Sequence, residues 1–187
     1  MTPRSTKGHL LVATPPLEDP NFDRTVVFMI EHGTDGAIGV VINRPLTDGL
    51  EEPLDRWQEY LGEPALLHDG GPVDHTALVG LARARRAGDE PIEDALPIGD
   101  GIWSIDLAAD PIVVMARFDS LRVFRGYAGW SPGQLDAEIR SGAWIVVEGT
   151  VDDVFSAEPA DLWRRTLARQ PGRLAWLADA PDDLDLN

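Results

Sequence analysis

Apolar runs of strand length arrive in this chain in clusters, and helical patterns fall between the clusters rather than after every run. Residues 10–13 read as a short buried strand, 25–30 as a β-branched and aromatic strand, and 38–42 as a further apolar run. Residues 31–36 carry turn chemistry, with glycine at Gly33 and Gly36, so the second and third runs read as a hairpin ended by Pro45. Three prolines make 14–20 a loop, since proline donates no backbone hydrogen bond. Residues 101–107, 112–118, 121–127 and 144–147 read as strands. Residues 77–82 fit a strand or a short helix, and 87–97 fit an exposed loop.

Three helical patterns interrupt these runs. Leu50, Leu54, Trp57 and Leu61 recur at helical spacing on one face, with Pro53 in the first turn and Gly62 as the stop. Ser131-Pro132-Gly133-Gln134 reads as a helix start with a capping box, and Leu135 and Ile139 form the apolar ridge behind it. Residues 161–170 place Leu162, Trp163, Thr166 and Leu167 on one face. A doubly wound sheet would alternate strand and helix regularly. Clusters of strands broken by helices predict a mixed α+β layout instead. The length suits one domain over 1–187, with an acidic stretch at 179–187 expected to fray.

Charge narrows the function classes. The chain has 16 basic and 32 acidic residues, a net charge of −16. Such a surface repels phosphate backbones and anionic membranes, so neither specific nucleic acid nor membrane is an expected partner. Cysteine is absent, which removes thiol nucleophiles, disulfides and cysteine-ligated metals. The run at 10–13 is too short for a signal peptide, and no segment has the length of a membrane helix, so cytoplasmic residence is expected.

Gly129-Trp130-Ser131-Pro132-Gly133 matches the G-x-S-x-G nucleophile elbow. The residue after the serine must donate its N–H to an oxyanion, and Pro132 has none, so Ser131 reads as a helix cap and no catalytic residue is assigned. Gly36 and Gly39 allow close backbone approach, and Arg44 could hold an anion, but no helix follows to make a phosphate loop. The simpler reading has Asn43 and Arg44 locking neighbouring loops, with an internal carboxylate as the preferred partner of Arg44. Glu31 and His32 would organise the adjoining turn, and Gly70 and Gly71 would let two backbones approach closely. The four histidines lack metal-ligand spacing, so neither metal nor cofactor is expected. Tyr127, Trp130 and Trp144 read as core anchors, or alternatively as a pocket lining with Arg125 as its polar contact. Arg83, Arg85 and Arg86 form the basic cluster.

Four blocks in this order resemble the YqgE/AlgH family. They are Gly8-His9-Leu10-Leu11-Val12-Ala13-Thr14-Pro15 with Asp19-Pro20-Asn21-Phe22; Glu31-His32 with Gly36-Ala37-Ile38-Gly39-Val40-Val41-Ile42-Asn43-Arg44-Pro45; Gly70-Gly71-Pro72-Val73; and Gly126-Tyr127-Ala128-Gly129-Trp130 with Gly133-Gln134-Leu135. The resemblance implies a compact single unit with a bifurcated, barrel-like mixed sheet flanked by helices. It implies a bacterial protein whose family has unsettled activity and a regulator label without a DNA-binding motif. Asp136 departs from the glutamate usual there, and 111–118 is more apolar than the pattern.

The expected function is therefore a non-catalytic protein that binds a protein or small-molecule partner in a regulatory role. The alternative is a nucleotide-like anion site, or an enzyme, built on hairpin 36–44 with Arg125, Tyr127 and Trp130. A DNA-binding regulator ranks last, given the charge and the lack of a helix-turn-helix signal. Asn43, Arg44, Tyr127 and Trp130 around one pocket would favour the alternative; the same residues packed into the frame would favour the first.

Overall fold

A computed structural model describes residues 5–15, 17, 19–86, 88 and 90–179. Its centre is one curled, largely antiparallel sheet. The strands are β1 His9–Ala13, β2 Val26–Gly33, β3 Gly36–Val41, β4 His68–Asp69, β5 Val73–Ala84, β6 Ala95–Gly99, β7 Ile102–Ile105, β8 Phe118–Trp130 and β9 Trp144–Glu148. They run in the order β6-β7-β5-β8-β3-β2-β1-β9, and β4 pairs parallel with β8. Short helices flank the sheet: α1 Pro111–Met115, α2 Gln134–Arg140, α3 Val151–Val154 and α4 Leu162–Ala168. The fold is α+β, a curled half-barrel sheet with short helices against it.

The uninterrupted apolar runs follow from burial on both faces. On one face Leu10, Val12, Phe28, Val40 and Ile42 pack with Leu162, Trp163 and Leu167 of α4. On the other, Leu11, Val27, Met29 and Val41 pack with Leu135 of α2 and with Trp130 and Trp144. A strand with no solvent face has no place for polar alternation. A third cluster gathers Trp57, Trp103, Met115, Phe118 and Leu121 at the other end of the sheet.

The sheet forks at β8. Its first part pairs with β5, its last three residues pair with β3, and β4 joins at Phe124 and Arg125. Gly70 fills the fork: its N–H reaches the Arg125 carbonyl at 2.9 Å and its carbonyl accepts from Val41 at 2.8 Å. A side chain on Gly70 would collide with the Gly126 backbone, and Gly126 itself sits at φ 72°. The expected close approach at Gly70 and Gly71 is thus the point where the sheet bifurcates.

Several expected elements differ. Of the expected strand 112–118, residues 112–115 lie in helix α1 and only Phe118 is strand, at the start of β8, because Asp110 accepts from the Ile112 N–H and Pro111 starts the first turn. The helix over 50–61 shrinks to a 3₁₀ segment, Asp55–Tyr60. Pro53 keeps Glu52 out of helical geometry, and the Gly62 N–H is drawn to the Leu121 carbonyl at 2.8 Å. Leu50, Leu54, Trp57 and Leu61 still reach one cluster, from extended flanks as well as from the helix. Residues 77–82 are strand, within β5, and the end of the supposed loop 87–97 pairs as β6 with Ala95 buried. The expected acidic tail lies, apart from Asp179, outside the described residues, as do Ala87 and Asp89.

Candidate functional site

The β2–β3 hairpin closes with the two-residue loop Thr34-Asp35, Gly33 standing opposite Gly36. Gly36 has φ 126°, and a Cβ there would strike the Trp130 carbonyl, so the hairpin lies directly on the end of β8. A concavity of ≈ 570 Å³ runs along this junction. Ile38, Val73, Tyr127 and Trp130 line it, with Glu31 and Asp35 among its polar residues. Ile38 is 39 % exposed, while Trp130 is buried. The Lys7 ammonium donates to Glu31 at 2.9 Å, and this bond holds the Glu31 carboxyl below the usual carboxylate range.

Of the eleven residues singled out in the sequence, Glu31, Gly36, Tyr127 and Trp130 meet at this groove. The others are placed elsewhere. His32 is buried on the opposite side as a latch for the N-terminal segment. The Thr6 N–H donates to its Nδ1 at 3.3 Å, the Ser5 hydroxyl donates to its carbonyl at 2.9 Å, and Asp136 stands 3.9 Å from its Nε2. It therefore ties down the chain start rather than the turn. Gly39 packs where a Cβ would meet Val27 and the Phe28 carbonyl. Asn43 accepts from the Val26 N–H and donates to the Arg24 carbonyl, both at 2.9 Å. Arg44 donates to the Asn21 carbonyl at 2.6 Å and the Asp23 carbonyl at 3.2 Å. The preferred carboxylate partner of Arg44 is replaced by two loop carbonyls, which the extended backbone before Pro45 places within the guanidinium's reach. Gly70 and Gly71 sit at the fork. Arg125 lines a different, smaller groove with Glu51, Glu52 and His75.

The aromatic residues obey a carboxylate that the sequence did not single out. Glu138 Oε2 accepts from the Trp130 indole at 2.9 Å and the Trp144 indole at 2.8 Å, while its Oε1 accepts from Gln134 at 2.9 Å. Phe22 stacks on Trp130 with ring centroids 6.2 Å apart. A carboxylate one helical turn after Gln134, on the face of Trp130, was the available signal.

Ser131 is exposed at the strand-to-helix turn. Its N–H donates to the Gln134 side chain at 3.0 Å, but the cap position of α2 belongs to Gly133 and carries no side-chain cap, so Ser131 is not the helix cap that its sequence context predicts. The Gln134 N–H goes to the Ser131 carbonyl at 3.0 Å and not to its hydroxyl, because Gly133 at φ 72° turns the chain before the helix begins. Among the described residues no base engages the Ser131 hydroxyl, and Pro132 has no N–H to donate.

Sequence reading also passed over a buried pair. Arg122 is 1 % exposed and donates to the carbonyls of Glu63 at 2.7 Å, Val154 at 3.1 Å and Ser156 at 3.2 Å. Burial lowers its pKa to about 10. His68 lies fully buried beside it; its Nδ1 must carry the proton, since the partner 3.1 Å away is the Leu66 carbonyl. Burial, and then the Arg122 charge, push His68 down to about 4. The signal was an arginine interrupting the apolar run 121–124. Among the described residues no group of three metal-binding side chains converges, and no helix is long and apolar enough to cross a membrane.

Comparison with known proteins matches residues 10–175 to the family described as AlgH-like. A UPF0301 protein of Thermobifida fusca is 47% identical over 190 residues, covering 98% of this chain and 96% of the relative. A UPF0301 protein of Streptomyces avermitilis is 44% identical over 188 residues, with 98% and 96% covered. The crystal structure of a Corynebacterium diphtheriae protein superposes with a TM-score of 0.88 at 27% identity, covering 95% of this chain and 94% of that one. The solution structure of the AlgH protein from Pseudomonas aeruginosa gives a TM-score of 0.69 at 28% identity, with 98% of each chain covered.

Proposed function

We propose that this chain, which belongs to the AlgH-like family, is a non-catalytic cytoplasmic binding protein with a regulatory role. Its contact surface is the groove between the β2–β3 hairpin and the end of β8. One observation carries the reading: the frame consumes the polar atoms that chemistry would need. Asn43, Arg44 and His32 bond to backbone and to the N-terminal segment, and the Trp130 indole bonds to Glu138. What faces the groove is Ile38, Val73 and Tyr127 between acidic residues, a surface suited to recognition rather than to proton or group transfer.

The alternative anion site on hairpin 36–44 loses its support, since Asn43 and Arg44 do not line this groove. With Glu31 already held by Lys7, the acidic group at Asp35 favours a ligand or partner segment that is apolar with a positive charge.

A thermal-shift screen of metabolites and short peptides tests the proposal. Ligand binding to the folded state raises the midpoint. The expected result is at least one compound whose shift disappears in Ile38→Asp and persists in Arg85→Ala/Arg86→Ala. A screen in which every hit persists in Ile38→Asp would move the binding surface elsewhere and refute the groove.

A further inference from the structure

At the opposite end of the sheet the molecule inverts its own charge. β5 runs out into Arg85 and Arg86, and Arg117 lies just before β8. The Arg85 N–H donates to the Arg117 carbonyl at 3.1 Å, so the two strand ends hold these arginines side by side. They surround a concavity of ≈ 630 Å³ floored by Trp103 and Ile92. Neighbouring Arg83 is spoken for, since its Nε donates to Asp119 at 2.6 Å. Arg85 and Arg86 are exposed and make no side-chain hydrogen bond or ion pair among the described residues. Among the described residues the Arg117 side chain pairs with Glu90 alone, at 3.5 Å, with both side chains more than half exposed. An exposed pair of that geometry is weak and readily displaced.

We infer that this groove is a binding site for a small, phosphate-bearing organic anion. Two exposed guanidinium forks, unpaired among the described residues, and a third, loosely held one match the multiple acceptor oxygens of a phosphate, which a single lysine-like point charge would not. Trp103 and Ile92 offer an apolar floor to the organic part. Trp103 is 3 % exposed and braced edge-on by Phe118 at 6.1 Å, so that floor is rigid. Size and charge select the class. The volume lies within the range of small-molecule sites. A long polyanion would feel the net charge of −16 over its whole length, whereas a small dianion feels chiefly the local arginines. The site is independent of the hairpin groove and shares no residue with it.

Calorimetric titration of phenyl phosphate into the whole chain at low ionic strength tests this. The expected result is saturable one-site binding that weakens about tenfold or more in Arg85→Ala/Arg86→Ala. Arg140→Ala/Arg173→Ala removes the same charge from exposed positions elsewhere and is expected to leave the affinity within about twofold. The Trp103 indole resonance should move during the titration. Absence of saturable binding, equal weakening in both double variants, or shifts confined to other indoles would overturn the assignment.

Discussion

Single side chains decide much of this fold. Glu138 receives two indole N–H groups from Trp130 and Trp144, both nearly buried. Glu138→Ala orphans both donors and should cost about 2–3 kcal/mol in chemical denaturation, while Glu138→Gln, which retains an acceptor oxygen, should cost clearly less. Arg44→Lys gives up the fork that spans the Asn21 and Asp23 carbonyls and should lower stability by about 1 kcal/mol. An unchanged midpoint would return Arg44 to the ligand-binding candidates. His68 gives the molecule a pH-dependent limb. Its folded pKa of about 4 lies below the ordinary 6.5, so the unfolded chain binds the proton more readily. The contribution is intact above pH 6.5 and declines as pH falls from there toward 4, by up to about 3 kcal/mol. In His68→Phe the slope of stability against pH should flatten across this window; an identical slope would show that other groups carry it.

Local elements show where a sequence speaks and where it does not. The strands β1 to β3 were legible because burial on both faces leaves unbroken apolar runs, and the hairpin was legible from its two glycines. Helix α1 was not, because Val114 and Met115 are buried while Ile112 and Val113 are exposed. Four apolar residues in a row hide that division, and only Asp110 followed by Pro111 marked the start. The bounds of Asp55–Tyr60 were illegible for the opposite reason: an apolar spacing fit for a helix is met by a 3₁₀ turn with extended flanks. Helix starts can be ranked by experiment. Ser131 contributes its backbone and not its hydroxyl, so Ser131→Ala should change stability by less than about 0.5 kcal/mol. Thr150 caps α3 in a full capping box with Asp153. Thr150→Ala should cost about 1 kcal/mol or more, as Asp153 also holds Arg169 at 2.7 Å. A larger loss at Ser131 than at Thr150 would reverse the assignment.

Across the whole molecule, the site was half legible. Glu31, Gly36, Tyr127 and Trp130 converge because a short hairpin loop and the last strand of the fork must meet. Asn43, Arg44 and His32 have the residue types of a site but serve the frame, a role that depends on partners distant in sequence. Arg85 and Arg86 were visible as a basic cluster, but only folding brings Arg117 and Trp103 to them. The central claim, that the hairpin groove binds without converting, is tested most directly by equilibrium dialysis. The chain is dialysed against a defined mixture of metabolites and short peptides, and both compartments are read by mass spectrometry. The predicted result is a compound retained at unchanged mass by the wild-type chain and released by Ile38→Asp. A compound consumed, with a product appearing only when the protein is present, would contradict it.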